Sequence, residues 1–216
     1  MSRSSFKPKL LEAKIENIKI GSEEIDLTGK ADRVDEAGEY FRIIDYKTGA
    51  TGNLLKELYY GTKLQLFLYQ GIFRKLLGKK PAGVFYFNAK LEYLKNDEER
   101  YILKGLVEDD ERAIGLFDNS LTDGASSEIL AISKIDGKHK GAAIAKQPLA
   151  AYEEYANKVA DKAADEIIEG YIEAKPNESA CQMCRYQAIC NYEKTSGTRK
   201  SKKISSDIFS GEKDEE

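Results

Sequence analysis

Hydrophobic and polar residues along the first half of the chain follow two spacings, and each spacing predicts a different kind of element. In segments 11–20, 25–34 and 40–47, apolar residues are mixed with charged neighbours over short stretches, as is typical of β-strands. The residues between the second and third segments include Asp and Gly, which are turn formers, so these strands are expected to form a hairpin or meander. The aromatic run 84–87 predicts a further, buried strand.

Between the third and fourth strands, the apolar spacing changes to three and four, which is the repeat of one helix face. The predicted helix begins after Asn53, a good N-cap residue, and ends just before Gly78. Its expected core-facing stripe consists of Leu58, Thr62, Gln65, Tyr69, Ile72 and Leu76. The resulting order of strand, strand, strand, helix and strand predicts an α/β (α+β) fold.

The second half of the chain has a weaker pattern until residue 148. Segment 107–117 is predicted to be a helix, and segment 128–135 is predicted to be a strand. A long amphipathic helix is expected over 148–172, with Leu149, Tyr152, Tyr155, Val159, Ala163, Ile167 and Tyr171 on its apolar face. We expect one core domain over 1–175, a cysteine-bearing appendage over 176–193 and a disordered charged tail over 194–216.

Composition narrows the possible classes of function. The 216 residues include 34 Lys and Arg against 37 Asp and Glu, a formal net charge of -3. This balance excludes nucleic-acid binding by bulk positive charge, so a nucleic-acid site has to be a local patch. Residues 1–11 lack an apolar stretch of signal-peptide length, and no later run approaches a membrane span, so we expect a cytoplasmic protein.

The strongest local signal is the segment I-I-D-Y-K-T-G at the end of the third predicted strand. Side chains alternate along a strand, so Asp45 and Lys47 share a face with the apolar Phe41 and Ile43. Burying both charges is costly unless they form an ion pair, bind a metal or face a polar cleft. The pattern alone does not choose among these three interpretations.

Two other segments bring further polar residues towards this strand. Asp32 lies on the preceding strand, and the short connecting turn places its carboxylate near that of Asp45. Two carboxylates suit a hard divalent cation such as Mg²⁺, which takes water and phosphate oxygens as its other ligands. Gln65 and Tyr69 lie four residues apart on the predicted helix stripe, where a core-facing glutamine needs a hydrogen-bond partner.

In this order, the segments G-K-A-D-R-V-D, I-D-Y-K-T-G and Q-L-F-L-Y resemble the nuclease motifs of the RecB-type branch of the PD-(D/E)XK superfamily. The resemblance implies a restriction-endonuclease-like fold with a central mixed sheet flanked by helices. It also implies a site that binds Mg²⁺ or Mn²⁺. The implied site residues are Asp32, Asp45 and the carbonyl of Tyr46 as metal ligands, Lys47 as the catalytic lysine, and Gln65 and Tyr69 as the supporting helix motif.

By the same resemblance, the expected function is a metal-dependent DNA exonuclease domain that acts on DNA ends within a helicase–nuclease for double-strand break repair. DNA and a helicase subunit are the expected partners, with no membrane contact. Two alternatives stay open: a catalytically silent DNA-binding or iron–sulfur scaffold module, and a phage or CRISPR-associated exonuclease of the same superfamily. Loss of cleavage on changing Asp45 or Lys47 would separate an enzyme from a silent module.

Three cysteines form a C-x2-C-x5-C spacing at Cys181, Cys184 and Cys190. The pattern fits a zinc site lacking one ligand, three reduced cysteines or part of an iron–sulfur cluster. The resemblance implies three of the four ligands of a 4Fe–4S cluster, the fourth cysteine lying far upstream in the complete protein. This chain has no upstream cysteine, so we expect the cluster in the intact protein and an incomplete or absent cluster here.

Overall fold

The protein is described by a computed structural model that covers residues 3–49, 51–89, 102–174, 176, 180–181, 184–190, 192 and 208–209. The strands are β1 (Lys7–Ile20), β2 (Ile25–Ala37), β3 (Tyr40–Lys47), β4 (Lys80–Asn88), β5 (Lys104–Val107), β6 (Ser133–Ile135) and β7 (Lys138–Lys140). The helices are α1 (Leu54–Tyr59), α2 (Gln65–Leu77), α3 (Glu111–Phe117), α4 (Leu149–Ile168) and α5 (Gln187–Cys190). Among the described residues, no helix is both long enough and apolar enough to cross a membrane.

The first five strands form one mixed sheet in the order β1-β2-β3-β4-β5. Neighbouring strands are antiparallel, except that β3 and β4 run parallel and are joined by a crossover through α1 and α2. β6 and β7 form a separate hairpin. The mixed sheet with flanking helices confirms the fold class that the sequence predicts.

Each face of the sheet carries its own hydrophobic core, and β3 contributes to both. Phe41 and Ile43 pack with residues of α1, α2 and α4, whereas Tyr40 and Ile44 pack with residues of α3. This alternation is the one predicted for β3 and follows from the pleat of a strand. The sheet therefore separates the surroundings of Asp45 from those of its neighbours Ile44 and Tyr46.

The single helix predicted between Asn53 and Gly78 is wrong, because the structure has two helices with a break at residues 60–64. Both predicted ends are correct: Asn53 Oδ1 accepts a hydrogen bond from Lys56 N at 2.9 Å, and Gly78 ends α2 with a left-handed φ of 63°. The break contains Gly61, which has a φ of 68°, a conformation that favours glycine. A Cβ at this position would also lie 2.9 Å from Val159 Cγ1 on α4.

The break changes which residues of α2 face the core. The buried residues are Leu66, Phe67, Leu68, Gln70, Gly71 and Phe73. Of the predicted stripe, Gln65, Tyr69 and Ile72 are half-buried, and Leu76 is exposed. Because of the break, the residues of α2 face different directions from those that one continuous helix through α1 and α2 would give them. The predicted stripe assumed such a continuous helix.

The second half also departs from the predicted elements. Segment 107–117 divides into the end of β5 and the helix α3, because Asp110 Oδ1 caps α3 by accepting hydrogen bonds from the backbone N–H groups of Arg112 and Ala113. Only 133–135 of the predicted strand 128–135 forms a named strand, β6. The helix α4 ends at Ile168, and its buried face is made of Leu149, Tyr152, Glu153, Ala156, Ala160 and Ala164.

One residue of the predicted tail packs against the core domain. Phe209 is buried, with its ring centroid 5.0 Å from that of Tyr152 and 4.9 Å from that of Tyr155 on α4. Most of the tail lies outside the described residues, so the predicted disorder of the remaining tail stays a prediction.

Candidate active site

Strand pairing brings Asp32 of β2 next to the end of β3. Arg33 pairs with Ile44, and one step further along, Asp32 Oδ2 accepts a hydrogen bond from Tyr46 N at 2.8 Å. The Asp32 side chain thus binds the backbone N–H of the residue that directly follows Asp45. The structure places these two sequence-predicted aspartates in one neighbourhood.

Asp45 is a buried carboxylate whose charge is only partly compensated. The residue is 4% exposed, and its Oδ2 atom lies 2.5 Å from Lys47 Nζ in an ion pair. Among the described residues, Lys47 Nζ is the only partner of this oxygen. A carboxylate oxygen can accept more than one contact, so Asp45 Oδ2 can also bind a further cation or donor.

Tyr86 of β4 links this ion pair to a second one that the sequence reasoning missed. It pairs with Asp45 across the parallel strands and is itself buried. Burial raises the pKa of the Tyr86 phenol, and the nearby charges of Glu57 and Asp45 raise it further. Lys47 Nζ and Lys63 Nζ lie 5.5 Å and 6.0 Å from the centroid of the Tyr86 ring.

The second ion pair joins Glu57 of α1 to Lys63, with 2.7 Å between Oε1 and Nζ. Residues six apart in a continuous helix point about 120° away from each other, so the predicted helix separates these two side chains. The break after α1 is what brings them together. The glycine at position 61, which adopts a left-handed conformation in this break, is the signal in the sequence that would have indicated the break.

Of the two predicted helix residues, Tyr69 has a clear structural contact. Its phenol oxygen accepts a hydrogen bond from Lys30 N at 3.2 Å, and a Cβ on Gly29 would overlap that oxygen. Gly29 therefore lets α2 approach β2 closely, three residues before Asp32. Tyr69 holds the helix against the strand that carries Asp32.

Gln65 is the first residue of α2 and is half-buried. Its side chain makes no hydrogen bond with another described residue. The fully buried glutamine of this helix is Gln70, whose Nε2 donates to Leu149 O at 2.9 Å and to Glu153 Oε2 at 3.2 Å. Arg74 also binds Glu153, so this second network fastens α2 to α4.

The donor chemistry of the site fits a hard divalent cation. Asp45 offers a buried carboxylate whose Oδ2 has one cationic partner, and the Asp32 carboxylate and Tyr46 carbonyl belong to the adjoining strand ends. Among the described residues, no group of three or more His, Cys, Asp or Glu side chains is arranged to hold a metal ion. Two carboxylates are enough for a cation such as Mg²⁺, which takes one or two and completes its shell with water or phosphate oxygens.

The described residues of the cysteine segment contain no assembled metal site. None of Cys181, Cys184 and Cys190 is in a disulfide, and Cys184 and Cys190 are exposed. Cys184 N donates to Cys181 O at 3.2 Å, which places these two residues in one turn. The described part of this segment contains no group of side chains arranged around a metal, so the iron–sulfur cluster stays a prediction.

Comparisons with known proteins agree with this geometry. The model of the PD-(D/E)XK nuclease superfamily matches residues 2–191. Similar curated proteins include subunits of the ATP-dependent helicase/deoxyribonuclease from Bacillus cereus (strain G9842) and Bacillus thuringiensis subsp. konkukian (strain 97-27). Each is 29% identical over an alignment of 201 positions, and the match takes in 79% of this chain and 17% of the relative. The chain thus spans about a sixth of the length of these relatives, and the resemblance found in the sequence motifs is confirmed.

Proposed function

Because this chain belongs to the PD-(D/E)XK nuclease superfamily, we propose that it hydrolyses phosphodiester bonds at DNA ends with the help of Mg²⁺ or Mn²⁺. The observation that carries this proposal is the buried Asp45 carboxylate, whose Oδ2 has the partly exposed Lys47 ammonium as its only partner among the described residues. A buried charge that is only partly compensated costs stability, so this arrangement favours a role in binding or catalysis.

Each site residue has a role that follows from its place in the fold. Asp32, Asp45 and the carbonyl of Tyr46 would hold the cation. A bound divalent cation compensates charge on phosphoryl oxygens and lowers the pKa of bound water. The Lys47 side chain is 34% exposed, so its ammonium can reach a phosphate oxygen while Asp45 fixes its position.

The helix residues act around this centre. Gln65 lies at the N-terminal end of α2, and its amide, which has no described partner, is available to bind Lys47 or the DNA backbone. Tyr69 keeps α2 against β2 and so supports the position of Asp32. In this proposal, Lys47 is the catalytic lysine, and Tyr69 is a positioning residue.

We also propose a wider setting for the domain. The relatives are named as helicase/deoxyribonuclease subunits, which supports a nuclease domain working beside a helicase. Its proposed place of action is double-strand breaks in the cytoplasm, as the sequence motifs lead us to expect. The cysteine spacing supports a 4Fe–4S cluster completed by a cysteine elsewhere in a longer protein. Iron and sulfide analysis of that longer protein would test this part.

The central test is cleavage of linear, end-labelled single-stranded DNA with Mg²⁺ and with EDTA. We expect cleavage with Mg²⁺ only, and a loss of at least about a hundredfold in Asp45→Asn and in Lys47→Met. The matched controls are Asp26→Asn and Lys19→Met, which alter an exposed ion pair of 2.8 Å on the same sheet and should leave the rate unchanged. Cleavage that survives Asp45→Asn or Lys47→Met would refute the proposed site.

One observation favours a second candidate, a catalytically silent DNA-binding or scaffold module. Both aspartates already have protein partners, since Asp32 Oδ2 accepts a hydrogen bond from Tyr46 N and Asp45 Oδ2 is paired with Lys47 Nζ. This candidate predicts DNA binding without cleavage at protein excess, with either Mg²⁺ or Mn²⁺ present. Cleavage under those conditions would exclude it.

A further inference from the structure

The backbone and side chain of Glu57 together fix the position of Lys63. The Glu57 carbonyl accepts hydrogen bonds from Thr62 N at 2.9 Å and from Lys63 N at 3.4 Å, while Glu57 Oε1 binds Lys63 Nζ at 2.7 Å. On the other side, a Cβ on Gly52 would overlap Glu57 Oε1. The glycine therefore leaves space for the carboxylate, and the lysine is held at both ends.

Stability alone does not account for this arrangement. Glu57 Oε2 is buried and has no hydrogen-bond partner among the described residues. Lys63 lies two residues before α2, which is 13 residues long and has no side-chain cap at its N-terminus. A cation at the positive end of a helix dipole is unfavourable by itself, whereas an anion placed there is favoured.

The Glu57–Lys63 pair matches the Asp45–Lys47 pair across the Tyr86 ring. In both pairs the carboxylate is largely buried and the lysine is partly exposed, at 39% for the Lys63 side chain and 34% for Lys47. Both ammonium groups lie within 6.0 Å of one ring centroid. Each ammonium is paired with a carboxylate on one side, and its exposed side can still contact a phosphate oxygen of a bound strand.

We propose that Lys63, held in place by Glu57, binds a backbone phosphate of the DNA strand next to the phosphate that is cleaved. This inference rests on the proposed function in taking a nucleic-acid strand as the ligand and in placing the cleaved phosphate at Lys47. A phosphate contact fixes the register of the strand without reading its bases. Lys63 is thus a substrate-binding residue, and Glu57 is a positioning residue that acts through it.

The test measures binding separately from cleavage. A fluorescently labelled single-stranded oligonucleotide is titrated with the full chain in Ca²⁺, in place of Mg²⁺, at several salt concentrations, and its anisotropy is followed. Lys63→Met should weaken binding by about three- to tenfold and lower the slope of log affinity against log salt by about 0.7, as expected for one lost phosphate contact. Lys63→Arg should retain the slope, and Glu57→Gln should weaken binding less than Lys63→Met.

The matched control is Lys75→Met, which removes an exposed lysine from the last turn of α2, far along the helix from Lys63. Its affinity and salt slope should equal those of the wild type. Circular dichroism of each variant separates a lost contact from a lost fold, and Lys63→Gln, which also removes the charge but keeps a polar side chain, replaces Lys63→Met if that variant is unstable. In cleavage with Mg²⁺, Lys63→Met should raise KM for DNA and leave kcat nearly unchanged.

Two results would overturn the inference. An unchanged salt slope in folded Lys63→Met would show that Lys63 does not bind a phosphate. A shift in the Mg²⁺ midpoint of cleavage in Glu57→Gln, with DNA affinity unchanged, would show that Glu57 is a metal ligand instead. A different result would refute the proposed function. A wild-type chain that does not cleave DNA, with Lys63→Met still lowering the salt slope, would refute the nuclease and support the phosphate contact.

Discussion

Two ion pairs that involve β3, Asp35–Arg42 and Asp45–Lys47, lie on opposite faces of the sheet and differ in how many donors bind the aspartate. Asp35 is fully buried, and its oxygens accept hydrogen bonds from Arg33 and from Arg42 at 2.6–3.0 Å. Burial lowers the pKa of Arg42, with Asp35 opposing that shift, and Arg42 Nη1 has no hydrogen-bond partner among the described residues. By contrast, Asp45 Oδ2 has only Lys47 Nζ as a partner among the described residues, and this lysine is partly exposed.

The difference separates a structural charge from a charge available for chemistry. A buried carboxylate whose oxygens are filled by guanidinium donors has little capacity left for a ligand. A carboxylate oxygen whose only partner is a solvent-accessible cation can still bind a ligand. This capacity to bind comes at some cost in stability. Burial alone does not distinguish the two, because both aspartates are at most 4% exposed.

The largest expected effect on the free energy of unfolding concerns the Asp35–Arg42 pair. Asp35→Asn leaves the buried Arg42 without its counter-charge, and breaking such a pair costs about 3–5 kcal/mol of unfolding free energy. Urea unfolding followed by circular dichroism measures this loss. The control is Asp26→Asn, which breaks an exposed pair and should change the unfolding free energy by less than about 1 kcal/mol. Equal stability of Asp35→Asn and Asp26→Asn would show that the Asp35 network is not structural.

The sequence predicts the elements whose signals are local. β3 is predicted with its observed bounds because its alternation is regular. The caps are predicted correctly because each depends on the residue itself: Asn53 accepts a hydrogen bond with its side chain, and Gly78, which has no side chain, adopts a left-handed conformation. The neighbourhood of Asp32 and Asp45 also follows from a short turn between adjacent strands. The motif resemblance then supplies the family, which the family match confirms.

The sequence does not predict features that depend on contacts between distant segments. The break at Gly61 fits against Val159, almost a hundred residues later, and it determines both the phase of α2 and the Glu57–Lys63 pair. Gln70 resembles Gln65 in local pattern, yet only Gln70 is fully buried, because Glu153 and Leu149 of α4 provide its partners. Local periodicity carries no information about those partners.

A smaller effect is expected at Asp118, another filled carboxylate on the side of the sheet that α3 covers. Burial alone would raise its pKa, but hydrogen bonds from Ser120 and Ser127 outweigh burial and hold the pKa below its usual value. The ionised Asp118 carboxylate therefore contributes its full stabilisation at pH values above its pKa in the unfolded chain, about 3.9. This stabilisation is lost as the pH falls through the lower pKa that Asp118 has in the folded protein. Ser120→Ala removes one of these bonds, so the pKa of Asp118 should rise and acid unfolding should begin at higher pH.

The measurement for Ser120→Ala is an acid titration followed by circular dichroism, with urea unfolding at pH 7. The loss at pH 7 should be about 1 kcal/mol, the usual contribution of one such hydrogen bond. Ser126→Ala is the control, because that hydroxyl pairs with Ser133 and contacts no carboxylate. An identical acid midpoint in Ser120→Ala and Ser126→Ala would contradict the assigned role of Asp118.

The smallest effect on stability, and the most informative, is expected from Asp45→Asn. An amide in place of this carboxylate removes a buried charge that is only partly compensated, and Lys47 can turn to solvent, since its side chain is 34% exposed. The unfolding free energy should equal that of the wild type or exceed it by up to about 1 kcal/mol. Compared with Asp35→Asn in the same urea titration, the two substitutions should thus differ by about 3 kcal/mol or more, although each removes one buried aspartate charge from the same sheet. A loss in Asp45→Asn as large as that in Asp35→Asn would mean that Asp45 is a structural charge, and the contrast between the two faces would no longer support the proposed site.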